Sequence, residues 1–395
     1  MSDRRRLFFI TTSSVEQGPY PELALPALAA DGWEITVAAP GVKNSILRKV
    51  RPFACREIEL GISGRTRLVR EMRTLATMVA ARFGHYDVIY LNSVQAGARA
   101  ALALAGPKLG KKLVYHSPDF FDRFTYPAHF RLERSLCRKA DLHINNEFHR
   151  GYISQAVYGM KCPIITAPPN LPRDWPIPPR NPETRRLMAG GAGDAFILML
   201  HGGFSELRMV PELLQALTLL PQRVRLVMTS SAPREQEVEQ LLRRFQLSDR
   251  VLRLPRVGFQ ELLAHTVNAD CGVLLYQNND LGNFFTAPGR MTEYLACGLP
   301  VLASNHTGLE NLVLRYGLGE TVLAESPEGV AAGVLRLEQR LRAGALDSTA
   351  MRGQFASHFA FDHWEVIIQM AFRGLSLARA PGIPEPPAFP WLPNP

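Results

Sequence analysis

Cysteine is scarce in this chain and badly spaced for cross-linking. Five cysteines (Cys55, Cys137, Cys162, Cys271 and Cys297) are scattered through 395 residues without a C-x-x-C pair. Such a set excludes a disulfide framework and a cysteine-built metal or redox site, and it points to a reducing, cytoplasmic setting. Long apolar runs are missing too. None approaches the roughly 20 residues of a membrane-spanning helix, and Met-Ser-Asp-Arg-Arg-Arg leads straight into the strand-like LFFITT, so no secretion leader is expected. Neither half contains G-x-G-x-x-G after a strand, which excludes an ordinary nicotinamide-dependent dehydrogenase. No metal site and no bound cofactor are expected. Acidic charge runs short in the first half: residues 1–200 hold 28 Lys and Arg against 17 Asp and Glu, whereas residues 201–395 hold 17 against 19. The basic excess suits an anionic lipid surface or a phosphorylated acceptor, or is simply solvated. Dispersed and without a binding module, it does not make a nucleic-acid site.

What remains is an ordinary globular composition, 46% hydrophobic and 21% charged, in a chain long enough for two domains that each bury a core. Strand-like runs (LFFITT, EITVAAP, DVIYLNS, KLVYHSP, DLHINN, PIITAPP) alternate with helix-length segments in the first half. After a stretch rich in Pro, Arg and Gly from Asn170 to Gly193, the rhythm restarts with FILMLHG, RVRLVMTS, VLRLP, CGVLLY, PVLAS and TVLA. This is the pattern of two α/β domains, each a doubly wound parallel sheet. The expected boundaries are a first domain at 1–175, a linker at 176–195, a second domain at 196–358, a closing helix at 359–380 and a Pro-rich tail at 381–395.

The richest stretch is APGRMTEYLACGLPVLASNHTGLENLV at 287–313. A helix starting near Gly289 aims free N–H groups at an anion. Arg290 suits a phosphate, while Glu293 would be repelled by one and instead accepts hydrogen bonds from a ribose diol. Gly298 and Pro300 end the helix and lead into a strand; read alone, this is also any helix-to-strand joint. Upstream, LMLHGGFSELRMVPELL (198–214) places Gly202 and Gly203 after a strand for close backbone approach, with Arg208 in reach of a diphosphate.

In the first half, His116, Asp119 and Asp122 follow a strand, at the edge where open α/β sheets bind ligands. Asp119 either orients an acceptor hydroxyl or caps a helix; His116 either contacts the transferred group or lies at the surface. Asn92 and Asn146 end strands at the same edge, and Gly18 sits in the loop SSVEQGPYPELA. The helix expected over 63–83 carries Leu68, Met72, Leu75 and Val79 on one face among Arg67, Arg70 and Arg73. That face either leans on an anionic membrane or turns to the core.

Together these strings resemble retaining GT-B glycosyltransferases, above all family 4 (glycosyl transferases group 1). Against P-x-K-x-x-E-Y-x-A-x-G-x-P-V, the matching residues are Pro288, Arg290 in place of Lys, Glu293, Tyr294, Ala296, Gly298, Pro300 and Val301; Gly308 and Glu310 match the G-x-x-E that follows. Many relatives carry an earlier Glu where Phe285 stands here, so its role in holding the donor sugar is lost or passes to the amides of Phe284 to Ala287, Thr286 included. Gly203 replaces a common Arg, leaving Arg208 as the cation of that loop, and Arg256 and Val257 fall near where the base would lie.

The resemblance implies GT-B architecture, two Rossmann-like domains facing a cleft with the last helix crossing back to the first. It also implies transfer from a nucleotide-diphosphate sugar, UDP-sugar first and GDP-sugar second, without a protein nucleophile or metal. The acceptor is a glycan, a glycolipid or a small molecule. Two other readings stay open: a sugar-nucleotide 2-epimerase on the same fold, and a non-catalytic binding subunit.

Overall fold

Two sets of short strands, the central ones almost wholly buried, build two parallel sheets, as expected of strands covered on both faces. The computed structural model describes residues 5–61, 67–92, 109–117, 120, 123–124, 126–202, 206–229, 235–286 and 288–376. Asp119, Asp122, Gly203, Ala287 and the 381–395 tail lie outside them. The first sheet contains β1 (Arg6–Thr11), β2 (Glu34–Ala39), β3 (Cys55–Glu59), β4 (Val88–Asn92), β5 (Lys112–Ser117), β6 (Leu142–Asn145) and β7 (Ile164–Thr166), in the order β3-β2-β1-β4-β5-β6-β7. The second contains β8 (Phe196–Leu200), β9 (Val224–Thr229), β10 (Val251–Leu254), β11 (Cys271–Leu274), β12 (Val301–Ser304) and β13 (Gly319–Val322), in the order β10-β9-β8-β11-β12-β13. Each order reverses once, at β1/β4 and at β8/β11, and crevices for ligands open beyond the carboxyl ends of strands at such points.

Three local expectations need correction. Strand β3 has the sequence CREIE, and its charged, half-exposed residues hide it from a reading that looks for apolar runs. The expected linker is not featureless: Pro182–Met188 is helical, capped by the Asn181 side chain on the amides of Glu183 and Thr184. Arg185 pins that helix to the second domain through Asn268 O and Asp270, which also accepts from Ile197 N. The helix Arg67–Phe83 buries Thr74, Met78 and Ala81, not the face of Leu68, Met72 and Val79. Leu68 and Met72 are 68% and 59% exposed, and Phe83 is 69% exposed beside them, because the sheet lies on the side of the smaller residues.

The helix Asp362–Ser376 packs on the first domain. Phe372 meets Trp33 and Tyr90 edge-on or tilted, and Gln369 donates to Ala27 O. Arg51 fastens this crossing. Its guanidinium reaches Asp174 on the segment leaving β7 at 2.7 Å, and Asp362 and Glu365 on the helix at 2.6 and 2.5 Å. A lone exposed pair contributes little, but one half-buried Arg shared by three carboxylates is a network. Arg51→Ala leaves those carboxylates facing one another and is expected to cost about 2 kcal/mol, between the exposed and buried limits, read as a drop in the thermal midpoint; an unchanged midpoint would show the clamp to be idle.

Candidate active site

The second domain supplies the charged half of the cleft. His201 and Gly202 directly follow strand β8, and Gly202 has φ +105°, a conformation glycine adopts freely. A Cβ there would lie 1.8 Å from Nη1 of Arg208, so the missing side chain is what lets the guanidinium pack onto the backbone, where it donates to His201 O. Burial, then the like charge of Arg290, pushes Arg208 down to about 10. Neither arginine forms an ion pair among the described residues. Two like charges that act on one another, neither of them in a salt bridge, favour a doubly charged anion in the same place.

Arg290 lies in the first turn of the helix Gly289–Ala296, which starts after Pro288. Gly289 is required by proximity: its Cβ would stand 2.5 Å from Pro169 O of the first domain. Further along, Tyr294 crosses Gly272 of β11, where a Cβ would fall 2.2 Å from the ring, and its hydroxyl accepts from His201 N at 2.9 Å. The helix closes with Gly298 at φ +80° and Leu299 N donating to Tyr294 O. Gly308 packs on the backbone of Phe285 and Thr286, shaping the turn before the helix.

Glu293 is 4% exposed and sits at the centre. Its Oε2 is 2.6 Å from His201 Nδ1, and its Oε1 accepts from the hydroxyl of Tyr20, which comes from the first domain. Burial pushes this carboxyl up, but the bonds from His201 and Tyr20 and the charge of Arg290 outweigh it and hold Glu293 below the usual carboxylate range. Arg256 donates at 2.6 Å to Gln17 on the same loop as Tyr20, and Val257 beside it is half-buried. Gly18 is buried against the Tyr20 ring and does not open towards a ligand.

In the first domain, three predicted residues come together. His116 Nε2 is 2.8 Å from Asn146 Oδ1, while Nδ1 is approached by Tyr90 at 2.9 Å and Asn92 at 3.2 Å. Asn92 also donates to Pro21 O, so residues 20 and 21 touch both halves of the cleft. Burial pushes His116 down to about 4 and His143 on β6 to about 3. Phe285 stacks on His149 of the first domain with ring centroids 5.1 Å apart. Asp119, the other expected participant, lies outside the described residues.

A sequence profile of glycosyl transferases group 1 matches residues 195–340, and one of glycosyltransferase family 4 matches residues 24–147. Together they cover about two thirds of the chain. The chain is a GT-B glycosyltransferase of this family. Among curated protein sequences nothing matches significantly. Among solved structures it is similar to the sucrose-phosphate synthase of Thermosynechococcus elongatus, at 17% identity over 95% of this chain and 100% of that one, with a TM-score of 0.72. It is also similar to Anabaena HepE in complex with UDP and glucose (18% identity, 95% and 100% covered, TM-score 0.69). WaaG, described as a glycosyltransferase involved in lipopolysaccharide biosynthesis, aligns at 15% identity over 92% and 99% with a TM-score of 0.65.

Sequence reasoning missed two residues of this candidate site. His201 was legible as the residue before the glycine pair at a strand end, the usual place for a ligand-facing side chain. Tyr20 gave no signal, since its partner lies 273 residues away. The depressed histidines make a pH prediction. In the unfolded chain both take up protons near 6.5, before the folded protein does, so stability is full above that pH and falls as pH drops towards 4 and 3. The full loss is roughly 3 kcal/mol for His116 and roughly 5 kcal/mol for His143. The thermal midpoint should fall between pH 6.5 and 4, above the range of ordinary carboxylates, and His143→Leu should flatten that fall; an equal slope in the variant would assign it elsewhere.

Proposed function

We propose that the second domain binds a nucleotide-diphosphate sugar, a UDP-sugar before a GDP-sugar, with its diphosphate between Arg208 and Arg290, its ribose on Glu293 and its base near Arg256 and Val257. The single observation that carries this reading is the pair of electrostatically coupled arginines, Arg208 and Arg290, neither of them held in a salt bridge among the described residues. Glycosyl transfer breaks the bond from C1 of the sugar to the diphosphate, so negative charge grows on the leaving oxygen, where these cations stabilise it. The acceptor hydroxyl forms the new bond to C1 and gives its proton to the departing phosphate. That course needs no protein nucleophile or metal and retains the anomeric configuration, as the family resemblance implies. Phe285, in place of a second carboxylate, leaves the sugar to the backbone of Phe284 to Ala287.

Arg290→Ala and Glu293→Ala are each expected to abolish thermal stabilisation by UDP, which in the native protein amounts to about 2.7 kcal/mol at 100 times Kd. Stabilisation that survives both substitutions would refute the donor site. Chelation with EDTA should leave transfer from the UDP-sugar unchanged; conversion of the sugar nucleotide to its 2-epimer without an acceptor would instead favour the epimerase.

The acceptor side of the reading is a glycolipid or envelope polysaccharide precursor at the inner face of a membrane. Its support is the helix Arg67–Phe83, whose outward face is apolar (Leu68, Val69, Met72, Val79, Phe83) and bordered by the exposed Arg70 and Arg73. No helix among the described residues is long and apolar enough to span a bilayer. The protein should float with phosphatidylglycerol vesicles and not with phosphatidylcholine, and a Met72→Asp, Phe83→Asp double variant should stay in solution; equal flotation of both would sink the membrane reading.

A further inference from the structure

The loop between β1 and the first helical turn lies across the residues to which the nucleotide is assigned. Gln17 takes a hydrogen bond from Arg256, proposed to face the base. Three residues on, the Tyr20 hydroxyl donates to Glu293 Oε1, proposed to hold the ribose. The Tyr20 ring stands edge-on to Phe259, 5.9 Å between centroids, and lies against Gly289 at the start of the arginine-bearing helix. Pro169 O fills the rest of the space above Gly289.

Hydrogen-bond accounting leaves little room for a second donor. Thr266 Oγ1 donates to Leu262 O at 2.7 Å and therefore accepts from His201 Nε2 at 2.6 Å. The other side of His201 is spent on Glu293 Oε2. The oxygen turned to the cleft is Oε1, and Tyr20 holds it. With Glu293 only 4% exposed, a ribose diol cannot approach while the phenol is in place. The phenol offers what a ribose hydroxyl offers, an O–H donor on a flat carbon frame.

We propose that Tyr20 is a ribose surrogate: in the resting enzyme it occupies the ribose subsite on Glu293, and the nucleotide binds only when the 13–20 loop withdraws. The inference rests on the donor-site reading above. Its consequence is kinetic. The apparent affinity is the intrinsic affinity reduced by the fraction of molecules in which the site is open. Donor binding then frees Tyr20 and Gln17 on the first-domain side, so filling the second domain loosens a contact that spans the cleft. Asn92, which donates to Pro21 O next to Tyr20, carries that release to His116.

The test is UDP binding by calorimetry and stopped flow to the native protein, Tyr20→Phe and Arg290→Ala. Phenylalanine keeps the ring and removes only the bond to Glu293. The expected result is about tenfold tighter binding by Tyr20→Phe, carried by a faster association rate with dissociation unchanged, since a hydrogen bond to a charged group is at least that strong. Gln17→Ala should shift in the same direction by a smaller factor, which keeps the test open if Tyr20→Phe folds poorly. Weaker or unchanged binding by Tyr20→Phe, with Arg290→Ala still abolishing it, overturns the surrogate role and leaves the donor site standing. UDP binding indifferent to Arg290→Ala overturns the donor site itself.

Discussion

A carboxylate almost wholly removed from water is costly unless hydrogen bonds and opposite charge replace its hydration, and Glu293 receives both from three separate parts of the chain. His201 reaches it from the end of β8, Tyr20 from the first domain, and the Arg290 charge from its own helix. These partners are in turn fixed: His201 by Thr266 and the Tyr294 hydroxyl, the Tyr20 ring by Phe259, the helix start by Gly289 against Pro169 O. The cleft of this glycosyltransferase is organised around keeping one buried negative charge satisfied.

The two arginines are the opposite case. Arg208 packs onto the backbone where Gly202 omits a side chain, it feels the like charge of Arg290, and neither arginine is held in a salt bridge among the described residues. Unpaired like charges are a cost that folding tolerates at a binding site, where an anion removes it. The first domain offers a neutral cluster, His116 with Asn92 and Asn146, whose depressed histidine stays unprotonated at neutral pH. Among the described residues, the second domain thus brings charged groups to the cleft, Arg208, Arg290 and Glu293, and the His116 cluster of the first domain is neutral.

How legible this was depends on where the determining contact lies. Buried strands such as FILML and the helix closed by Gly298 declare themselves through local apolar runs and turn chemistry, and the residues from Gly289 to Glu293 do fall on one short helix. CREIE at β3 escapes notice because an edge strand needs only half its residues apolar, and Pro182–Met188 is hidden by the prolines around it. The direction of the helix Arg67–Phe83 is not a local property: its most apolar stripe points outward while Thr74, Met78 and Ala81 meet the sheet. Tyr20 is the extreme, a residue whose role is set by a partner in the other domain.

The most direct measurement is a crystal structure of the UDP complex. The account predicts the diphosphate between Arg208 and Arg290, the ribose hydroxyls on Glu293 and the uracil beside Arg256 and Val257. UDP bound elsewhere, with Arg208 and Arg290 facing solvent, would contradict it.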